Sequence, residues 1–300
     1  MARTNTELYR RYEGELRPNA LRFLPLFLAG VRTATKKKIP LLVLYAVPTI
    51  ATIVYSFVVY AKYAAEDMAV SIGGIEGMMS MFAQRAMVNL EVKGQIVELN
   101  HVMRLFSLLA VTWFGSGLFA EDRRLGAHLL YFSRPITRLD YFLGKFLTVS
   151  FFGALSVMVP GLVVCLIASW TSPDWSFLKE EGDTILRTIL YSGIWITLTS
   201  SIVLCVSSLA SRKTFALVGA FGFFVLNFGL GGVLSLVDRR YLAISVMMDM
   251  RKLRNWIFEI DDDWRDLVFS EAVAVSVIGG VIMVCLLIIA ARLRKLEVVA

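Results

Sequence analysis

Six long stretches without one charged residue constrain this chain more than any other feature. They are Ile39–Ala61, Leu105–Ala120, Phe146–Pro173, Thr188–Ser211, Thr214–Val237 and Ala272–Ala291. A helix needs about 20 apolar residues to cross about 30 Å of hydrocarbon. Five of the stretches hold 20–28 residues; the second holds 16, or 22 when it starts at Leu99 and takes in His101 and Arg104. Backbone polar groups in lipid must be satisfied within the segment or in a closed barrel, and a barrel would show alternating segments of about ten residues. Continuous runs therefore predict an all-α membrane protein with six transmembrane helices. The chain is 57% apolar and 18% charged, against about 45–50% and about 25% in soluble domains. This excludes a disordered chain and argues against a soluble enzyme. Cys165, Cys205 and Cys285 all lie in apolar runs, where cysteine behaves as a small hydrophobe. They mark neither a disulfide scaffold nor a metal site.

Lys and Arg set the expected orientation. With the N-terminus inside, segments 1–38, 121–145, 212–213 and 292–300 hold 19 basic residues in 74 positions. The opposite segments, 62–104, 174–187 and 238–271, hold 12 in 91. Positive residues favour the cytoplasmic side, so both termini are expected there. The net charge of +7 divides into +12 inside and −5 outside. Such basic flanks suit anionic lipid headgroups of the bilayer and carry no nucleic-acid stripe. The first apolar run starts at residue 39 and is too long for a signal-peptide core, so it is expected to remain as an uncleaved span. The expected division is a cytoplasmic N-terminus over 1–38, a six-span domain over 39–291 and a cytoplasmic tail over 292–300.

Three connecting stretches carry information. In Asn19–Lys38, apolar Leu21, Phe23, Leu24, Phe27, Leu28 and Val31 alternate with basic residues, which suits an interfacial helix before Pro40. Pro25 should bend it or sit near its first turn. The competing reading is a bare topology signal. Segment 121–145 places Leu125, Leu129 and Phe132 on one helical face, with Glu121 and Asp122 expected at the N-terminal end of a short helix. Pro135 ends that element, and Thr137 with Asp140 has capping-box spacing for a new helix into the third span. In the outer stretch 238–271, Tyr241, Leu242, Ile244, Met247 and Met248 neighbour Arg251, Lys252 and Arg254. Asp261–Asp263 before Trp264 reads as a helix cap, with a cation site as the alternative.

Segment 121–145 resembles the loop after the second span in permeases of the type-2 ABC transporter family. The matching residues are Glu121, Gly126, Leu129, Leu130, Arg134, Pro135, Arg138, Gly144 and Lys145. The N-terminal helix, six spans and late outer excursion are also similar to that family, while the outer segment 62–104 is longer than the tight turn common in its exporters. The resemblance implies a coupling helix that docks into a separate soluble ATP-binding subunit, through Glu121, Arg123, Arg124, Leu125 and His128. Gly126, Arg134, Pro135, Arg138, Gly144 and Lys145 would shape the loop. It also implies short helices in the outer excursion, and pairing with a second copy of this chain or a related permease. ATP and magnesium would sit in the partner subunit, with no cofactor bound by this chain, and the site would be the cytoplasmic (inner) membrane.

No P-loop, H-E-x-x-H or G-x-S-x-G string occurs, so nothing here cradles ATP phosphates or activates a nucleophile. Gly115-Ser-Gly117 reads as helix packing. Thr197, Thr199, Ser200 and Ser201 read the same way, through interhelical hydrogen bonds. Arg104 and Asn227 are candidates for a translocation path; for Arg104 the competing reading is snorkelling to the interface, and for Asn227 it is helix-to-helix hydrogen bonding. No mid-span acid is present to couple protons. The resemblance thus implies the permease subunit of an ATP-driven exporter, not itself catalytic. The alternative is a non-transporting membrane scaffold, assembly or regulatory subunit. Cargo is left open, because no charged ring selects it.

Overall fold

The structure, a computed structural model, describes residues 21–36, 38–71 (side chains through 64), 92–127, 136–260 and 268–294. Its helices are α1 (Phe23–Thr35), α2 (Lys38–Ser71), α3 (Val92–Arg124), α4 (Arg138–Thr171), α5 (Ser176–Glu180), α6 (Asp183–Leu209), α7 (Lys213–Leu234), α8 (Val246–Phe258) and α9 (Glu271–Arg294). Short 3-10 turns cover Pro173–Trp175 and Arg239–Ile244, and the described residues contain no strand. Six helices are long and apolar enough to cross a membrane: α2, α3, α4, α6, α7 and α9. They correspond to the six charge-free runs. His128–Pro135 and Asp261–Trp264 lie outside the described residues.

Local chemistry explains several helix ends. Thr137 Oγ1 accepts from the Asp140 N–H at 3.1 Å, and the Asp140 carboxylate accepts from the Thr137 N–H at 3.0 Å. This is the expected capping box, and it starts α4. Helix α9 opens on Glu271 and closes on Arg292 and Arg294, so both ends complement its dipole. Pro25 and Pro40 each fall in a first turn, where no intrahelical N–H bond is lost.

Helices α3 and α4 have 33 and 34 residues, or about 50 Å each at 1.5 Å per residue. They therefore extend beyond the hydrocarbon. Helix α3 starts at Val92, ahead of the charge-free run, because Val92, Ile96, Val97 and Leu99 keep a continuous buried face while Glu98 points out.

The core is built from α3, α4 and α6. About two thirds of the most apolar stretch of α3 and of α6 is buried, against 17% for α2, α7 and α9. The outer three helices present Phe57, Val218, Leu226 and Leu287 outward, as expected of surfaces that meet lipid. Small polar residues knit the inner helices, a common device where lipid removes the hydrophobic drive. Ser207 donates to the Ser116 carbonyl at 2.8 Å, Ser107 donates to the Gly153 carbonyl at 3.2 Å, and Ser150 donates to Ser200 at 3.3 Å.

Helix α1 lies across the start of α4. Leu26 is its buried anchor, while Leu21, Leu24 and Leu28 stay exposed. The approach is close because Gly144 lacks a side chain: a Cβ there would stand 2.7 Å from Leu26 Cβ and 3.2 Å from the Phe23 carbonyl oxygen.

Candidate functional site

The segment singled out for coupling leaves the bundle at the end that carries α1. Glu121–Arg124 form the last turn of α3. The chain then turns: the Leu125 N–H donates to the Glu121 carbonyl at 2.9 Å, the Gly126 N–H donates to the Arg123 carbonyl at 3.3 Å, and Gly126 takes φ 67°. That left-handed conformation favours glycine and ends helices. The expectation that a short helix opens at Glu121 is thus corrected; its continuation from His128 to Phe132 lies outside the described residues. Glu121 and Asp122 close the second span instead of opening a new helix.

At the C-terminal end of α3 the helix dipole disfavours acids, and the fold compensates Asp122 directly. Lys145, two turns into α4, places its ammonium 2.7 Å from the Asp122 carboxylate. Tyr141 donates its hydroxyl to the same carboxylate at 2.7 Å, and the Lys145 ammonium also lies 5.6 Å from the Tyr141 ring centre. Both ions are mostly buried, with side-chain exposures of 9% and 15%. Arg123, half-buried, donates to the Ala210 carbonyl just after α6. Arg123 thus ties α3 to the end of α6 from within the segment expected to meet the partner. Glu121, Arg124, Leu125 and Arg138 remain exposed. Gly144 is occupied in seating α1, as described above.

Three inner helices are therefore fastened to one another where the loop emerges. The sequence reading included Lys145 and Arg123 but missed Asp122 and Tyr141 as the company of the first and Ala210 as that of the second. A signal existed, since an acid and a lysine flank one loop of an otherwise charge-poor membrane chain. No local pattern assigns them to each other.

At the other end of the bundle, Arg104 and Asn227 are not brought together. Asn227 donates to the Ile244 carbonyl and accepts from the Val246 N–H, both at 2.8 Å. It latches the stretch after α7 onto α7 itself, in keeping with the hydrogen-bonding reading. That stretch is held on two further sides. Arg187 pairs with Glu259 at 2.9 Å and donates to the Ile257 carbonyl at 2.8 Å, and Lys252 pairs with Glu271 at 3.0 Å. The expected short helices of the excursion are present as Arg239–Ile244 and α8.

Arg104 does not snorkel. It is 7% exposed, its guanidinium lies 5.7 Å from the Trp195 ring centre and 6.0 Å from that of Tyr191, and Nη2 is 2.6 Å from His101 Nδ1. Among the described residues, no group of three or more His, Cys, Asp or Glu could hold a metal ion.

The arrangement offers mechanical linkage at one end and a buried cation at the other. Residues 31–298 match the sequence model of a family described as ABC-2 family transporter protein. No curated protein matches the chain.

Proposed function

The chain belongs to the ABC-2 transporter family, and from that premise we propose that it is an exporter permease driven through its 121–145 segment. Membership makes it a multi-pass membrane permease that works with an ATP-binding partner. Export, the docking segment, the cytoplasmic membrane with both termini inside, and pairing with a second copy or a related permease belong to the proposal. So do ATP and magnesium held wholly by the partner.

The observation that supports this reading is the fastening of α3 to α4 and of α3 to α6 around the loop. A partner that moves the loop would act on Asp122–Lys145 and on Arg123–Ala210 together. The three inner helices would shift as a block instead of fraying singly, a packed two-state change of the kind interfaces and cores support. Glu121, Arg123, Arg124, Leu125 and His128 are the contact residues in this mechanism. Drive requires the ATP-bound partner to favour one permease state over the other; tight binding to both would move nothing.

The test is Glu121→Lys in the complex purified in mild detergent. Expression and span packing should be unchanged, because Glu121 is exposed, while stimulation of the partner's ATPase by the permease should fall at least fivefold. Unchanged stimulation would overturn the assigned docking segment. A preparation with no ATP-binding protein at all would favour a scaffold role.

A further inference from the structure

At the end away from α1, a cavity of about 490 Å³ opens between α3, α7 and α8. Its two sides differ in chemistry. Phe221, Phe224 and Phe228 of α7 form an apolar wall, and His101, Arg104 and Arg251 form a basic one.

Arg104 is the central group. A guanidinium has five N–H donors and no acceptor, yet buried Nε and Nη1 of Arg104 have no hydrogen-bond partner. Among the described residues no carboxylate pairs with it. Its neighbours do not repair this. Trp195 Nε1, itself unpartnered, is only a donor, and the Tyr191 hydroxyl is also buried without a partner. Arg254, 5% exposed, brings Nη1 to 3.3 Å from the same His101 Nδ1 that Arg104 approaches. Arginine can only donate, so His101 Nδ1 faces two guanidinium donors. Donors thus gather around buried Arg104, and among the described residues no carboxylate offsets its charge. Ring faces ease such a charge only partly, and a buried cation is retained where something pairs with it.

We propose that this cavity binds the anionic head of an amphipathic molecule, a phosphate or carboxylate seated against Arg104 with its apolar body along Phe221, Phe224 and Phe228. The proposal deepens the permease reading by naming a class of cargo, and it rests on that reading for the word cargo alone. The same chemistry could come from an anionic membrane lipid or from a dissolved amphiphile.

The test uses the full-length chain, with its co-purifying subunits, in nanodiscs. Binding of dodecyl phosphate is measured beside dodecanol and inorganic phosphate, without ATP. Dodecyl phosphate should saturate at least tenfold more tightly than either control. Arg104→Gln should remove that advantage. Met248→Glu, which puts a resident carboxylate on a half-buried cavity residue of α8 outside the spans, should do the same without touching the core. Discs of phosphatidylglycerol should compete with the probe if the occupant is a lipid headgroup; equal binding in phosphatidylglycerol and phosphatidylcholine identifies a dissolved amphiphile. Equal affinity for dodecyl phosphate and dodecanol, or dodecyl phosphate binding unchanged in both variants, would overturn the site. Because no ATP turnover is read, this outcome is separable from failure of the Glu121→Lys test.

Discussion

Asp122 and Lys145 stand 23 residues apart and meet at 2.7 Å, joining the last turn of α3 to the second turn of α4. Both are mostly removed from water, so halving the pair leaves a poorly solvated charge. Lys145→Met should destabilise the protein by about 3 kcal/mol, and the double variant with Asp122→Asn should regain a good part of that. Thermal unfolding of the four proteins in one detergent forms a double-mutant cycle. Strict additivity of the two single effects would show that the pair is uncoupled.

Gly144 permits the contact between α1 and α4. Even Gly144→Ala places a methyl 2.7 Å from Leu26 Cβ, and a helical Gly-to-Ala change otherwise favours the helix by roughly 0.5–1 kcal/mol. Steric exclusion should win here, because the Phe23 carbonyl oxygen is backbone and cannot rotate away. Amide hydrogen exchange across Phe23–Thr35 should quicken in Gly144→Ala while α6 stays protected. Unaltered exchange in α1 would contradict the close seat.

Asn227 ties the outer excursion to α7 through two backbone hydrogen bonds. Asn227→Ala should cost about 0.5–1.5 kcal/mol, since it removes the hydrogen bonds to the Ile244 carbonyl and from the Val246 N–H. The loss should be local, with faster exchange at residues 245–250 and little change in α3. A global fall in protection with none at Val246 would show that Asn227 acts elsewhere.

Asp249 supplies a pH dependence. Its side chain is fully buried, neither carboxylate oxygen has a hydrogen-bond partner, and burial pushes its pKa up from 3.8 to about 8. The folded state therefore keeps a proton that the unfolded chain releases near pH 4. Stability from this group is complete below that point, falls as pH rises towards 8, and levels off above it. Thermal midpoints measured from pH 5 to 9 should decline less steeply in Asp249→Asn than in the parent protein. Parallel profiles would exclude Asp249 as the source.

Much of this architecture was readable in one dimension. Six spans follow from charge-free length, and the start of α4 follows from Thr137 and Asp140, because both signals are local. The break after Arg124 was also written locally, as two arginines in a last turn followed two residues later by Gly126. The spacing of Leu125, Leu129 and Phe132 masked it. The start of α3 at Val92 was hidden for the opposite reason: Lys93 and Glu98 interrupt the apolar run without interrupting the buried face.

Membrane residence, helix count and the basic bias of one end thus came from composition along the chain, where each residue's transfer cost adds independently of its distant neighbours. Partnerships did not. Nothing around Arg104 in the chain says whether it reaches lipid or Trp195, and nothing around Asp122 names Lys145. A span that is apolar nearly all round has no stripe to say which way it faces, so the rotation of α3 against α4 and α6 is set only when small residues interlock. That rotation turns Arg104 inward against Tyr191 and Trp195, and brings Asp122 to Lys145.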